Sequence, residues 1–135
     1  MIGILIVTHK ELAEALMSVW DLILGRQEGI VAVSLDPNAP PEVSRQQIQR
    51  GLAQVNGGNG VIILTDMLGG TPSNLTLSFL HEGKVEVVTG VNLPMLLKLA
   101  GLRASGKPIR EVAHDLAEAG QKAIGHASDL VRRMT

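Results

Sequence analysis

Two short stretches of the chain place a histidine, a carboxylate and a pair of glycines directly after apolar runs. The first is Thr8-His9-Lys10-Glu11. Thr followed three residues later by Glu has the form of a capping box, with Thr8 as N-cap and Glu11 reaching back to it. His9 would then be the first residue of a helix, where the positive end of the dipole disfavours an imidazolium and favours a neutral ring and any anion attached to it. A neutral imidazole is a nucleophile. The plainer reading of the same residues is a polar loop at a helix start. The second stretch is Asp66-Met67-Leu68-Gly69-Gly70-Thr71-Pro72-Ser73-Asn74. Its glycines free the backbone to turn N–H groups inward and Pro72 suits a first helical turn, which together would make an anion nest. The plainer reading here is a strand-to-helix turn with a carboxylate N-cap. If the two preceding strands are neighbours, Asp66 can accept a hydrogen bond from one ring nitrogen of His9. That fixes the tautomer and leaves the other nitrogen free to attack.

The elements that must hold these groups follow from the hydrophobic pattern. Ile2 to Val7, Ile30 to Leu35, Val61 to Thr65 and Val85 to Thr89 read as near-continuous apolar strands, the pattern of strands covered on both faces. Between them Leu12, Leu16, Val19, Trp20, Ile23 and Leu24 recur at helical spacing, as do Val43, Gln47, Ile48, Leu52 and Val55 more weakly. Two short helices are expected over Pro72 to Leu80 and Pro94 to Ala100, and a longer one from Pro108 with Val112, Leu116 and Ala119 on one face. Gly120 and Gly125 each cost about 1 kcal/mol in a helix interior, so the segment from Gly120 to Thr135 is expected to kink or extend away. Strand alternating with helix implies an α/β fold: an open, mostly parallel sheet of about four strands with helices on both faces. The expected order is 2-1-3-4, a flavodoxin-like three-layer sandwich. It sets His9 and Asp66 side by side at the carboxyl ends of the strands, where ligands gather in such sheets. One domain over residues 1–135 is expected, its core ending near residue 124.

Composition removes several alternatives. The 135 residues are 45% hydrophobic, enough for a core without disulfides or a structural metal. There is no cysteine, which excludes thiol catalysis and thiolate metal sites and suits the cytoplasm. A formal net charge of −1, one Trp, one Phe and no Tyr argue against nucleic acid, because neither phosphate attraction nor base stacking is provided. No apolar run is long enough to span a bilayer. Gly101 to Lys107 spells G-x-x-x-x-G-K, but Pro108 stands where a nucleotide loop needs Ser or Thr and a helix precedes it. His81, His114 and His126 lack metal-ligand spacing, and no G-x-S-x-G elbow offers a serine nucleophile. No metal or cofactor is expected.

Taken in order, a strand followed by Thr8-His9, a strand followed by Asp66-x-x-Gly69-Gly70-Thr71-Pro72-x-Asn74, and Gly90-Val91-Asn92-Leu93-Pro94-Met95-Leu96 resemble the IIA domains of the mannose family of the bacterial sugar phosphotransferase system. The likeness runs to about Ile124. It implies a phosphotransferase of the carrier kind, in which the phosphocarrier HPr gives its phosphoryl group to an active histidine that passes it to a IIB domain. His9 matches that histidine and Asp66 the orienting carboxylate. The phosphate-binding loop falls on Leu68, Gly69, Gly70 and Thr71, chiefly the amides of Gly70 and Thr71, with the Thr71 hydroxyl a further donor. Transfer between two imidazoles needs alignment and charge stabilisation more than acid-base chemistry. The resemblance also implies a homodimer, and membrane contact only through IIC and IID components.

Three features depart from the family pattern. Leu68 stands where some members carry a Trp. Ala123 to Met134 reads as helical, unlike the extended C-terminal segment that members exchange between subunits, so a dimer is expected without exchange. No linker to a IIB domain follows, so a separate IIB protein is the expected acceptor. Two further functions are compatible with these residues: a regulatory module whose His9 phosphorylation state controls binding to a non-transport partner, and a dihydroxyacetone kinase subunit, whose first domain is similar but which the Gly90 to Leu96 segment fits less well. The sugar is not legible, since IIA domains do not touch it.

Overall fold

A computed structural model of the chain describes residues 1–134. The elements run β1 (Gly3–His9), α1 (Leu12–Leu24), β2 (Ile30–Leu35), α2 (Pro41–Val55), β3 (Val61–Thr65), α3 (Thr71–Leu77), β4 (Val85–Thr89), α4 (Leu93–Leu102), α5 (Ile109–Lys122) and α6 (Ala127–Met134). The strands form one parallel sheet in the order β2-β1-β3-β4, as the alternating pattern predicts.

Alternation along each strand sends its residues to two cores. Ile4, Ile6, Ile62 and Leu64 pack with Trp20, Leu96, Leu99, Val112 and Leu116 of α1, α4 and α5. Leu5, Val7, Val33 and Ile63 pack on the other face with Ile48 and Val55 of α2, flanked by Leu75 and Phe79. This double burial explains why the central strands β1 and β3 carry almost unbroken apolar runs.

The helices turn different faces inward than simple periodicity suggests. In α1 the buried residues are Ala13 and Trp20, while Leu12, Val19, Ile23 and Leu24 of the expected stripe are exposed together with Leu22. In α2 the buried stripe is Ser44, Ile48, Gly51 and Val55, and Val43 is exposed. Small residues let the helix approach the sheet: a Cβ on Gly51 would stand 2.5 Å from the Leu5 Cδ1. Helix α5 runs through Gly120 without a break, because that glycine is a packing site. The chain turns only after Lys122, and α6 then buries none of its side chains.

At the amino ends of the strands Arg103 is 3% exposed. Its Nε and Nη2 donate to the Ile2 carbonyl at 3.1 and 2.8 Å, and Nη2 reaches the Gly29 carbonyl at 3.4 Å. Burial pushes this guanidinium below its ordinary pKa. Among the described residues no helix is long and apolar enough to cross a membrane.

Candidate functional site

The ladder between β1 and β3 ends at the pair Val7 and Thr65. His9 and Asp66 lie just beyond it, at the carboxyl ends of the two central strands. Asp66 Oδ2 accepts the backbone N–H of His9 at 3.1 Å and meets the ring Nδ1 at 2.8 Å. Asp66 Oδ1 accepts the Met67 N–H at 3.1 Å. A carboxylate only accepts, so Nδ1 carries the proton and the neutral ring keeps its lone pair on Nε2. Burial raises the Asp66 pKa, but hydrogen bonds from the His9 ring and backbone, with the ring's charge when protonated, outweigh it and hold the carboxyl below its ordinary value.

The other edge of the ring faces the glycine loop. A Cβ on Gly70 would stand 2.7 Å from the His9 Cε1 and 3.2 Å from Nε2, so only a glycine lets the backbone come this close. Gly69 adopts φ 91°, which L side chains rarely take. Gly70 precedes α3 in extended conformation, and Pro72 sits in the first turn of that helix. The first amides of a helix have no partner within it, and α3 begins at Thr71, directly after Gly70. The expected pairing of His9 with Asp66 is thus present, and Gly70 lies against the ring. Met67 and Leu68 carry exposed side chains in the same loop.

The local structure at His9 differs from the expected capping box. His9 is the last residue of β1, and α1 begins only at Leu12, with Glu11 at the N-cap and no side-chain cap. The Lys10 N–H is held by the Leu35 carbonyl at 3.1 Å, and Lys10 takes φ 48°, so the chain turns before the helix starts. Thr8 still serves α1: its hydroxyl accepts the Ala13 N–H at 2.7 Å and donates to the His9 carbonyl at 3.2 Å. The helix whose N-terminus lies beside the imidazole is therefore α3, through Gly70, rather than α1. A left-handed lysine leaves no mark in composition, so the sequence held no signal for this turn.

The ring is reachable. The His9 side chain is 43% exposed, against 14% for Asp66. A hollow of about 570 Å³ lies at the opposite end of the sheet, lined by residues such as Asn56, Gly60, Lys84 and Pro108, and does not include His9. The remaining histidines are surface residues; His114 pairs with Glu118 of its own helix, and His126, just before α6, pairs with Asp129 of that helix. Among the described residues no three His, Asp or Glu groups are placed to hold a metal ion.

The site is thus an oriented, accessible imidazole at the carboxyl ends of the central strands of an open parallel sheet, beside a glycine-rich turn. The profile described as "PTS system fructose IIA component" matches residues 3–126, and the chain belongs to this mannose and fructose family of IIA components. It is 29% identical over 124 residues to the mannose-specific EIIAB component of Escherichia coli K12, an alignment covering 91% of this chain and 38% of that protein. The fructose-specific EIIA component of Bacillus subtilis is 25% identical, over 99% of this chain and 92% of its own. The crystal structure of a phosphotransferase system EIIA component from Streptococcus agalactiae superposes with a TM-score of 0.85 at 26% identity, covering 96% of this chain and 99% of that one. The family implies phosphoryl transfer in the sugar phosphotransferase system.

Proposed function

We propose that the protein is a phosphohistidine carrier: Nε2 of His9 accepts a phosphoryl group from phospho-HPr and passes it to a IIB protein for sugar uptake. The observation that carries this reading is the 2.8 Å contact between His9 Nδ1 and Asp66 Oδ2, which aims the free Nε2 at the Gly70 turn. The Nε2 lone pair forms a bond to phosphorus while the nitrogen–phosphorus bond of the donor histidine breaks, and the donor ring keeps that electron pair. The Nδ1 proton stays between His9 and Asp66. The phosphorylated ring is electron-poor, and the Asp66 carboxylate stabilises it. The loop Leu68, Gly69, Gly70 and Thr71 holds the phosphoryl oxygens, through the amides of Gly70 and Thr71 and the Thr71 hydroxyl. No metal or cofactor is assigned to the reaction.

An accessible ring rimmed by exposed Met67 and Leu68 suits protein donors and acceptors better than a small substrate. The bare apolar residues Leu12, Val19, Leu22 and Ile23 of α1, and Leu130, Val131 and Met134 of α6, support a homodimer. We place the protein in the cytoplasm as one IIA domain over residues 1–135, its core reaching about residue 124, with membrane contact only through IIC and IID components. The mannose-specific and fructose-specific relatives leave the sugar open.

The test is incubation with phosphoenolpyruvate, enzyme I and HPr, followed by intact mass at neutral pH and mapping of acid-labile phosphate. One phosphoryl group on His9, absent in His9→Ala, is the expected result; full labelling of His9→Ala overturns it. Exposed Leu68 also favours a second reading, a regulatory module that binds a non-transport protein according to the phosphorylation state of His9. A protein complex sensitive to that state, with no transfer to any IIB protein, would establish it.

A further inference from the structure

We infer that Asn92 is a positioning residue for the His9–Asp66 pair, a role that rests on this pair being the reacting site. Asn92 precedes α4 in extended conformation and uses both ends of its amide. Its Oδ1 accepts the Met95 N–H at 3.0 Å, capping α4, and its Nδ2 donates to the Gly120 carbonyl in the last turn of α5 at 3.1 Å. The approach of the two helices is close: a Cβ on Gly120 would stand 2.7 Å from the Met95 Cε and 3.5 Å from the Asn92 Nδ2.

The neighbouring residue carries this restraint to the site. The Val91 N–H donates to the Thr65 carbonyl at 2.9 Å, beyond the last β3–β4 ladder pair, Thr65 with Thr89. Thr65 is bonded directly to Asp66. The orientation of the Thr65 carbonyl sets the plane of the Thr65–Asp66 peptide, and hence the direction in which the Asp66 side chain leaves the strand. Asp66 also bonds to His9 and Met67, the very bonds whose geometry matters, and lies at the end of the β1–β3 ladder. On the other side of Val91 lies Gly90 at φ 79°, a conformation that glycine takes readily. Asn92 therefore supplies a fixed point on the β4 side: clamped between the start of α4 and the end of α5, it holds Val91 against β3, and through Thr65 it steadies Asp66 under the imidazole.

Asn92→Ser isolates the tether, since a serine hydroxyl can cap Met95 but is too short to reach Gly120. Two readouts apply at a pH and temperature where the variant is fully folded by circular dichroism. The first is the ¹⁵N and ring-proton NMR signature of unphosphorylated His9, which needs no partner protein. The variant is expected to lose part of the Nδ1–H tautomer population and broaden the ring proton. The second is the rate of phosphoryl acceptance from phospho-HPr, expected to fall about ten- to a hundredfold. Ile48→Val, in the opposite core, is the control for a merely structural loss and should move neither readout. A wild-type His9 spectrum in folded Asn92→Ser overturns the inference. If Asn92→Ser does not fold, Asn92→Asp, which keeps the size and the cap but presents an oxygen to Gly120, takes the same test with the same overturning result. A shifted His9 spectrum in a protein that no phospho-HPr labels would sustain the positioning role and refute the carrier function instead.

Discussion

Gly70→Ala separates the geometry of the imidazole from the stability of the fold. Gly70 has φ −83° and ψ 169°, an ordinary extended conformation that alanine adopts without strain. The whole perturbation is therefore the new methyl group. It would sit 2.7 Å from the His9 Cε1, where carbon atoms in contact prefer roughly 3.5–4.0 Å, so the ring edge must retreat by about 1 Å. The ring is pinned on its other side by the 2.8 Å bond to Asp66. It can retreat only by compressing or tilting that bond, and Nε2 leaves its place beside the turn. A misplacement of about 1 Å costs on the order of a hundredfold in a step governed by alignment. Stability should change little, because a conformationally compatible Gly→Ala gains about 0.4–1 kcal/mol from the unfolded state to set against the contact. The assay is rapid-quench measurement of phosphoryl acceptance from phospho-HPr at neutral pH, with urea unfolding of the same sample. Gly69→Ala is the converse case: φ 91° strains the backbone while nothing lies within 4 Å of the new Cβ, so it should lose stability without moving the ring. Unchanged transfer in folded Gly70→Ala would refute the claim that Nε2 reacts from the observed position.

Asp66→Asn should slow phosphoryl acceptance at least tenfold, since the amide keeps the size of the side chain but loses the charge that stabilises a phosphorylated ring. Because the folded-state pKa of Asp66 is depressed, its stabilising contribution is complete above the ordinary carboxylate value of about 3.9 and lost as pH falls through the folded value. Urea unfolding against pH should therefore show the gap between wild type and Asp66→Asn closing in acid, as pH falls through the folded value. Arg103→Met removes donors from the Ile2 and Gly29 carbonyls and should cost about 2 kcal/mol, lowering Tm by roughly 8 °C. Calorimetry checks this, and the rate of phosphoryl acceptance by the folded variant should stay at the wild-type value because Arg103 lies at the far end of the sheet.

The four strands are legible because their runs are mostly apolar, those of β1 and β3 on both faces, and β1 and β3 are legible as neighbours because the order of connection in a doubly wound sheet of this kind reverses between them. That was enough to bring His9 to Asp66. The start of α1 was not legible, although Thr8 and Glu11 satisfy the capping pattern. The competing bond from the Lys10 N–H to the Leu35 carbonyl depends on where β2 ends, which is a fact about another part of the chain. The inward face of α1 is only partly legible, for a different reason. Apolar residues surround much of that helix, so spacing includes the buried Trp20 but cannot say that Ala13 turns inward with it while Leu12, Val19 and Ile23 do not. Arg103 and Asn92 are polar residues that also hold carbonyls far away in sequence, those of Ile2 and Gly29 for Arg103 and that of Gly120 for Asn92. Only the tertiary fold gives them these carbonyls to hold.

The His9–Asp66 pair also takes the place of a rung of the sheet. Beyond Val7 and Thr65 no ladder bond joins β1 to β3, yet the His9 N–H still needs an acceptor at a place where water is partly excluded. Asp66 Oδ2 supplies it, and the same oxygen takes the ring proton on Nδ1. One atom thus fixes both the backbone and the side chain of His9, leaving the imidazole without freedom to turn Nε2 away from the surface. The exposed histidine gains its orientation from a carboxylate that is itself mostly covered, so accessibility to partner proteins and fixed geometry do not compete. The same sharing means that a substitution at Asp66 acts on the ring and on the end of the sheet together. Loss of transfer in Asp66→Asn is therefore interpretable only beside its unfolding curve, whereas Gly70→Ala, which touches the ring and no ladder bond, separates the two effects.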